Sequence, residues 1–255
     1  MLPRLIGMVH LAALPGAPEY RGRFDELVAA AVRDSETLQT AGFDGLMIEN
    51  YGDVPFFAER VPAITVSAIT AAVQAIADAV DIPFGVNVLR NDGEAALSIA
   101  AVTGASYIRV NVLSGSMQTD QGLITGKAAE LARLRRSLGL EVGILADVFV
   151  KHAVPPSGLT IEQAAADTWE RGLADALIVS GAGTGEEPDA GDLRRVHVAV
   201  PEAHLLVGSG ARAENVTKLL ETASGVIAGT ALKQGNVPTA RVDPYKARAF
   251  VEAAS

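Results

Sequence analysis

Apolar and polar positions recur along the chain in a fixed order. A short aliphatic or β-branched run comes first, then a polar or glycine-rich cluster, then a stretch whose apolar residues return at close to helical period. The runs fall at residues 5–9, 45–48, 83–86, 107–110, 142–146, 176–179, 205–207 and 225–228. Strands alternating with amphipathic segments predict a parallel sheet, and eight such units are the number that closes a (β/α)8 TIM barrel. Helices are expected over 23–40, 65–80, 93–103, 126–138, 160–171, 190–198, 212–222 and 243–253. In the first of these, Phe24, Leu27, Val28, Ala31, Val32 and Leu38 keep the period. Asp92 and Thr160 stand where N-caps belong, and Gly104, Gly139 and Gly172 stand just past helix ends.

Alternation within the strands sorts side chains between the barrel axis and the helices. If Ile108 and Val110 face the helices, Arg109 and Asn111 face inward; by the same parity Asn87 and Asp147 are axial. His10 is axial if Ile6 and Met8 are, whereas Glu49 and Asn50 have opposite parity and the pattern does not choose between them. In such barrels the carboxyl ends of the strands carry the chemistry, so these residues mark the site.

Composition narrows the rest. The chain of 255 residues has the length of one barrel, and a single domain over 1–255 is expected. A net charge of −9 argues against a nucleic-acid partner, which needs clustered Lys and Arg, while anionic small ligands can still be held by backbone amides. With no cysteine there is no thiol chemistry or disulfide framework. The apolar start is broken by Arg4, His10 and Pro15 and reads as a first strand, no stretch is long enough to span a membrane, and a cytoplasmic protein is expected. A mean hydropathy of +0.26 suggests a homo-oligomer.

The glycine-rich ends of the last two units carry the strongest chemical signal. Gly208-Ser209-Gly210 and Gly229-Thr230 each follow a strand and open a helix-like segment, where barrels of this type commonly bind phosphate through backbone N–H groups. Thr184, in the stretch Ser180-Gly181-Ala182-Gly183-Thr184-Gly185, is a further candidate, although tight turns also favour glycine. Glu49, at the end of the second strand, suits a general base; the alternative is a structural ion pair with Arg109. Asp147 and Lys151 read as an acid and base pair, Lys151 is also suited to an anionic substrate group, and Lys151 and Arg109 are candidates to stabilise developing negative charge in catalysis. A Schiff-base role for Lys151 requires a desolvated position, which sequence does not display, and a solvated loop accounts for it equally well. His10 reads as an acid, a ligand or a buried structural histidine. Asn50, Asn87 and Asn111 are candidate substrate-binding amides. No organic cofactor is expected. A divalent metal at His10, Glu49 and Asp147 has acceptable donors but no diagnostic spacing. The loop Asp53-Val54-Pro55-Phe56-Phe57 reads as an apolar cover over the mouth or, somewhat better, a subunit contact.

Several of these motifs occur together in one known family. Gly7-Met8-Val9-His10-Leu11, Glu49-Asn50-Tyr51-Gly52-Asp53-Val54-Pro55-Phe56, Gly85-Val86-Asn87-Val88-Leu89-Arg90-Asn91-Asp92, Ile108-Arg109-Val110-Asn111-Val112, Thr119-Asp120-Gln121-Gly122, Val150-Lys151-His152-Ala153 and Val207-Gly208-Ser209-Gly210 resemble the BtpA/SgcQ family over essentially the whole chain. The resemblance implies a ribulose-phosphate-binding type of barrel. It also implies one of two kinds of role: biogenesis or stability of photosystem I, or nucleosidase-like enzymes in sugar-utilisation gene clusters. The expectation is therefore an enzyme acting on a phosphorylated sugar, nucleoside or related ribosyl compound as an isomerase, lyase or nucleosidase. The alternatives are a non-catalytic assembly factor and a metal-dependent hydrolase.

Overall fold

A computed structural model describes residues 2–181 and 183–255. Met1, in the opening segment, and Ala182, in the glycine-rich stretch after the sixth run, lie outside the described residues. The eight expected runs form the strands β1 (Leu5–His10), β2 (Gly45–Glu49), β3 (Phe84–Asn87), β4 (Tyr107–Val110), β7 (Gly143–Val148), β9 (Ala176–Val179), β10 (Leu205–Val207) and β11 (Gly225–Ala228). All neighbours pair in parallel and the sheet closes in the order β1-β11-β10-β9-β7-β4-β3-β2.

Side-chain parity follows the sequence pattern. Ile108, Val110, Ile144, Ala146 and Val86 join the large apolar layer between sheet and helices. Ile6, Met8, Met47, Tyr107, Leu145, Ala176, Ile178, Leu206 and Ile227 fill the barrel interior. Because Met47 is interior, Glu49 two residues later is axial, and this settles the choice at β2. The interior plug is apolar at the amino-terminal end, so the polar axial residues above it share one layer. There His10 is in register with Glu49, Glu49 with Asn87, and Asn87 with Arg109.

The helices are α1 (Phe24–Ala41), α2 (Ala63–Ala77), α3 (Gly93–Thr103), α4 (Ala128–Ser137), α5 (Ile161–Ala166), α6 (Ala190–Ala199), α7 (Val216–Leu219) and α8 (Pro244–Ala254). Asp92 caps α3 by accepting from the Ala95 N–H, and Thr160 forms a capping box with Gln163. Gly42 and Gly104 end their helices in the left-handed conformation, which glycine adopts without a Cβ penalty.

Gly172 directly follows the last helical residue, Arg171, as expected, but in the right-handed conformation, and Leu173 beside it carries the positive φ of 56°; the helix after Thr160 ends in a wide π turn, Asp167–Arg171. One expectation needs correction. The helix expected over 212–222 shrinks to α7, whose approach is held as a turn by Asn215 accepting from the Arg212 N–H. Between β4 and α4 the chain also forms an antiparallel hairpin, β5 (Ser116–Thr119) and β6 (Gly122–Thr125), joined at its other side by β8 (Ala153–Val154). Met117 and Ile124 of this hairpin pack with Val112 and Val150, so it braces the loop that carries Lys151.

Candidate active site

His10 is fixed from two sides. Its ring stacks on Tyr51 with centroids 4.5 Å apart, and its Nδ1 lies 2.8 Å from the Pro238 carbonyl. A carbonyl oxygen only accepts, so Nδ1 carries the proton and Nε2 presents its lone pair. Burial lowers the His10 pKa to about 4, partly opposed by the nearby Glu49 carboxylate. The imidazole is therefore neutral, with a free basic nitrogen, throughout the physiological range.

Nε2 lies 3.8 Å from Glu49 Oε1, and the other oxygen of Glu49 accepts from Asn87 Nδ2 at 2.6 Å. An atom beside the two groups lies within reach of both. Asn87, expected to bind substrate, orients Glu49 instead.

The ion pair weighed between Glu49 and Arg109 does not form. Arg109 makes a two-pronged contact with Asp147, Nε to Oδ2 at 2.9 Å and Nη2 to Oδ1 at 2.7 Å. Asp147 also accepts from Asn111 Nδ2 at 3.0 Å and from Ser180 Oγ at 3.2 Å. With side-chain exposures of 1% and 0%, this pair is a buried, saturated brace, and acid-base work for Asp147 has no free oxygen to act through. The reason for the partner is topological: β3 separates β2 from β4, and Asn87 on β3 takes Glu49, whereas β7 lies directly beside β4. Among the described residues, no group of three or more His, Asp or Glu side chains is placed to hold a metal ion.

Asn111 directs its amide nitrogen to Asp147, which leaves its buried Oδ1 without a partner. Asn50 is used locally: its Nδ2 donates to Asp53 and its Oδ1 accepts from the Leu89 N–H. It holds the loop after β2.

The last two strand ends surround a cavity of about 150 Å3 lined by His10, Lys151, Thr184, Ser209, Gly229 and Thr230, among others. The backbone N–H groups of Ser209, Gly210, Ala211, Gly229, Thr230 and Ala231 have no acceptor among the described residues. Free backbone N–H groups at turns and helix starts are a usual means of holding an anion. The Ser209 hydroxyl is not among these donors, since it accepts from the Gly181 N–H at 2.9 Å and donates to the Glu186 carbonyl at 2.8 Å. Gly210 has φ of +72°, and a Cβ there would lie 2.3 Å from Glu187 N, so this turn requires glycine. Arg212, which sequence reasoning did not single out, lines the same cavity and sits 3.5 Å from Glu187.

A second cavity of about 470 Å3 opens beside the first, lined by Tyr51, Phe56, Leu89, Arg90, Glu49 and Asn111, among others. Lys151 and Thr184 line both. Thr184 Oγ1 is 3.0 Å from the exposed His152 Nε2, a contact that ties the loop after β9 to the loop after β7. Arg90 Nη2 donates to the Lys151 carbonyl at 2.6 Å. Burial first, and the Arg109 charge second, lower the Lys151 pKa. The desolvation that the sequence could not display is therefore present. In the loop after β2, Phe56 is half-buried against the larger cavity, while Val54 and Phe57 are 48% and 55% exposed.

The fate of His10 on acidification follows from its burial. A histidine whose folded pKa lies below its unfolded value near 6.5 takes up a proton on unfolding, so its contribution to stability is complete above about pH 6.5 and is lost as pH falls toward 4. The unfolding free energy should fall over that window with a contribution from His10 approaching about 1.4 kcal/mol per pH unit. Urea titrations at several pH values should show this component disappear in His10→Gln, and an unchanged slope would contradict the assignment.

The fold defines a (β/α)8 barrel whose buried polar residues gather at the carboxyl ends of the strands. Solved structures with this architecture include N-(5'-phosphoribosyl)anthranilate isomerase from Pyrococcus furiosus, with a TM-score of 0.58 at 15% identity over 98% of each chain. The corresponding isomerase from Thermus thermophilus gives a TM-score of 0.61 at 12% identity over 98% of this chain and 97% of that one. Likeness at such low identity concerns the fold alone. The chain belongs to the BtpA family, whose model matches residues 2–255. It is 45% identical over 250 residues to the photosystem I biogenesis protein BtpA of Synechocystis sp., covering 98% of this chain and 87% of that one. It is 48% identical over 252 residues to a protein of Thermococcus kodakarensis, covering 98% and 94%, and 32% identical over 251 residues to the sgc region protein SgcQ of Escherichia coli, covering 97% and 92%. Among the described residues no helix is long and apolar enough to cross a membrane.

Proposed function

We propose that the protein is an enzyme acting on a phosphorylated sugar or related ribosyl compound. One observation carries this reading: a neutral histidine, a desolvated lysine and a group of unpartnered backbone N–H groups all face one cavity. The phosphate sits in the smaller cavity on the N–H groups of the loops after β10 and β11, joined by Thr184 and Thr230. The sugar carbons reach the junction where His10, Glu49 and Lys151 meet. His10 Nε2 and Glu49 transfer protons there, while Lys151 stabilises developing negative charge. Asn111 Oδ1 accepts a substrate hydroxyl, and whatever group the sugar carries extends toward Tyr51 and Phe56 in the larger cavity. The P. furiosus neighbour is named for a phosphoribosyl compound, which supports the reading by fold-level analogy.

Thermal unfolding with a panel of sugar phosphates and their unphosphorylated counterparts tests the phosphate site. A ligand at about 100 times its Kd raises stability by roughly 2.7 kcal/mol, so at least one sugar phosphate should raise the midpoint while its parent sugar does not. Thr230→Asp, which places a carboxylate in the smaller cavity, should remove the effect. A panel with no phosphate-dependent shift would count against the proposal.

A second reading, a non-catalytic assembly factor, is supported by the biogenesis role in the name of the Synechocystis relative and by the exposed Val54 and Phe57 in the loop after β2. It expects a stable protein partner that is lost on Phe57→Ala and unaffected by sugar phosphates.

A further inference from the structure

We propose that Lys151 is a covalent nucleophile that joins the carbonyl carbon of an open-chain sugar phosphate as an iminium. This deepens the reading of the site as a sugar-phosphate pocket and rests on it. The chain has five lysines, Lys127, Lys151, Lys218, Lys233 and Lys246. The Lys127 amine is 2.6 Å from Glu59, and the Lys233 amine is 3.4 Å from Asp34. The Lys246 amine donates to the Lys233 carbonyl and to Asn236 Oδ1. Lys218 is exposed on α7. Lys151 alone lines the site, shared by both cavities, and its Nζ has no hydrogen bond or ion pair among the described residues.

Its backbone is held in place as well. The Lys151 carbonyl accepts from Arg90, and Phe149 and His152 on either side have φ of 54° and 57°. This tightly wound loop packs through Val150 against Val112, Met117 and Ile124 of the hairpin. A lysine kept in place only as a counter-ion would be expected to have a carboxylate within contact; here burial first and the Arg109 charge second disfavour the ammonium form, opposed by the charges of Glu49 and Asp147, with Arg90 adding a smaller push the same way as Arg109. An unprotonated amine is the form that attacks carbonyl carbon.

The step balances within the residues present. Once its flexible stem turns toward Glu49, which lines the same larger cavity, the ammonium of Lys151 gives one proton to that carboxylate, and the freed lone pair attacks the carbonyl carbon. The C–N bond forms as the C=O π pair moves to oxygen, which takes a second proton from the nitrogen to give a carbinolamine. Glu49 returns its proton to that oxygen, the C–O bond breaks, water leaves, and the nitrogen lone pair forms the iminium. The iminium draws electrons from the adjacent carbon, so that His10 Nε2 can remove a proton there or from a neighbouring hydroxyl. The reaction class is then isomerisation or carbon–carbon cleavage of a sugar phosphate, and not hydrolysis of a glycosidic bond.

Reductive trapping tests the inference. The full-length protein is incubated with ribose 5-phosphate or dihydroxyacetone phosphate and sodium cyanoborohydride, and the secondary amine is located by peptide mass spectrometry. The expected result is an adduct on Lys151 in preference to the exposed Lys218, competed by inorganic phosphate and lost in Lys151→Met and Lys151→Arg. Lys151→Arg keeps the cation and should retain a phosphate-dependent thermal shift, which separates loss of the nucleophile from loss of the fold. Persistence of that shift in the wild-type protein with no adduct, or with labelling of Lys218 in place of Lys151, overturns the iminium and leaves the sugar-phosphate reading standing. Absence of both shift and adduct overturns the two together.

Discussion

Replacing Arg109 by Met is expected to lower the unfolding free energy by about 3–5 kcal/mol, the usual cost of leaving a buried charge without its partner. The stranded charge is Asp147, whose side chain is fully buried. Of its four donors only Asn111 and Ser180 would remain, and two neutral hydrogen bonds do not replace a two-pronged guanidinium. The double variant Arg109→Met/Asp147→Leu removes both charges and should recover most of the loss, because an apolar pair of similar volume is often neutral or stabilising in such a position. Urea denaturation of the two singles and the double measures this coupling directly. Additive losses would show that the pair does not act as the brace inferred from its geometry.

Glu49→Gln should lower turnover of any sugar phosphate that the wild-type protein converts by about 10²–10⁴, the range for losing a positioned acid or base. The amide keeps the shape and a hydrogen-bonding contact to Asn87, so folding and phosphate-dependent thermal shift should survive while kcat falls. His10→Gln should produce a loss in the same range. The two should combine less than additively, because their facing atoms are 3.8 Å apart and act on one substrate position. Equal kcat in wild type and Glu49→Gln would remove the carboxylate from the mechanism.

Much of this was legible in the residues. Strand positions and the inward or outward sense of Arg109, Asn111, Asn87 and Asp147 follow from alternation, since a period of two leaves only two choices per strand. What was not legible depends on lateral distance. Parity makes Arg109 and Asp147 axial and leaves the choice between Glu49 and Asn50 open, and only the sheet order shows Asn87 standing between Glu49 and Arg109. The Ser209 hydroxyl and the Asn50 amide look like ligand groups in sequence because nothing local reveals that other loops use them. The hairpin did leave a trace: alternating Met117, Thr119 and Ile124 around Thr119-Asp120-Gln121-Gly122, with Gly122 at φ of +101°, has the form of two short strands and a turn. The carbonyl of Pro238 that fixes the His10 tautomer is 228 positions away, and no local rule reaches that far.

The most direct measurement is a crystal structure of the protein with ribose 5-phosphate. Phosphate oxygens are expected to accept from the N–H groups of the loops after β10 and β11, with the carbonyl end of the sugar at Lys151, His10 and Glu49. Phosphate density elsewhere on the molecule, with the smaller cavity lacking sugar phosphate under saturating ligand, would contradict it.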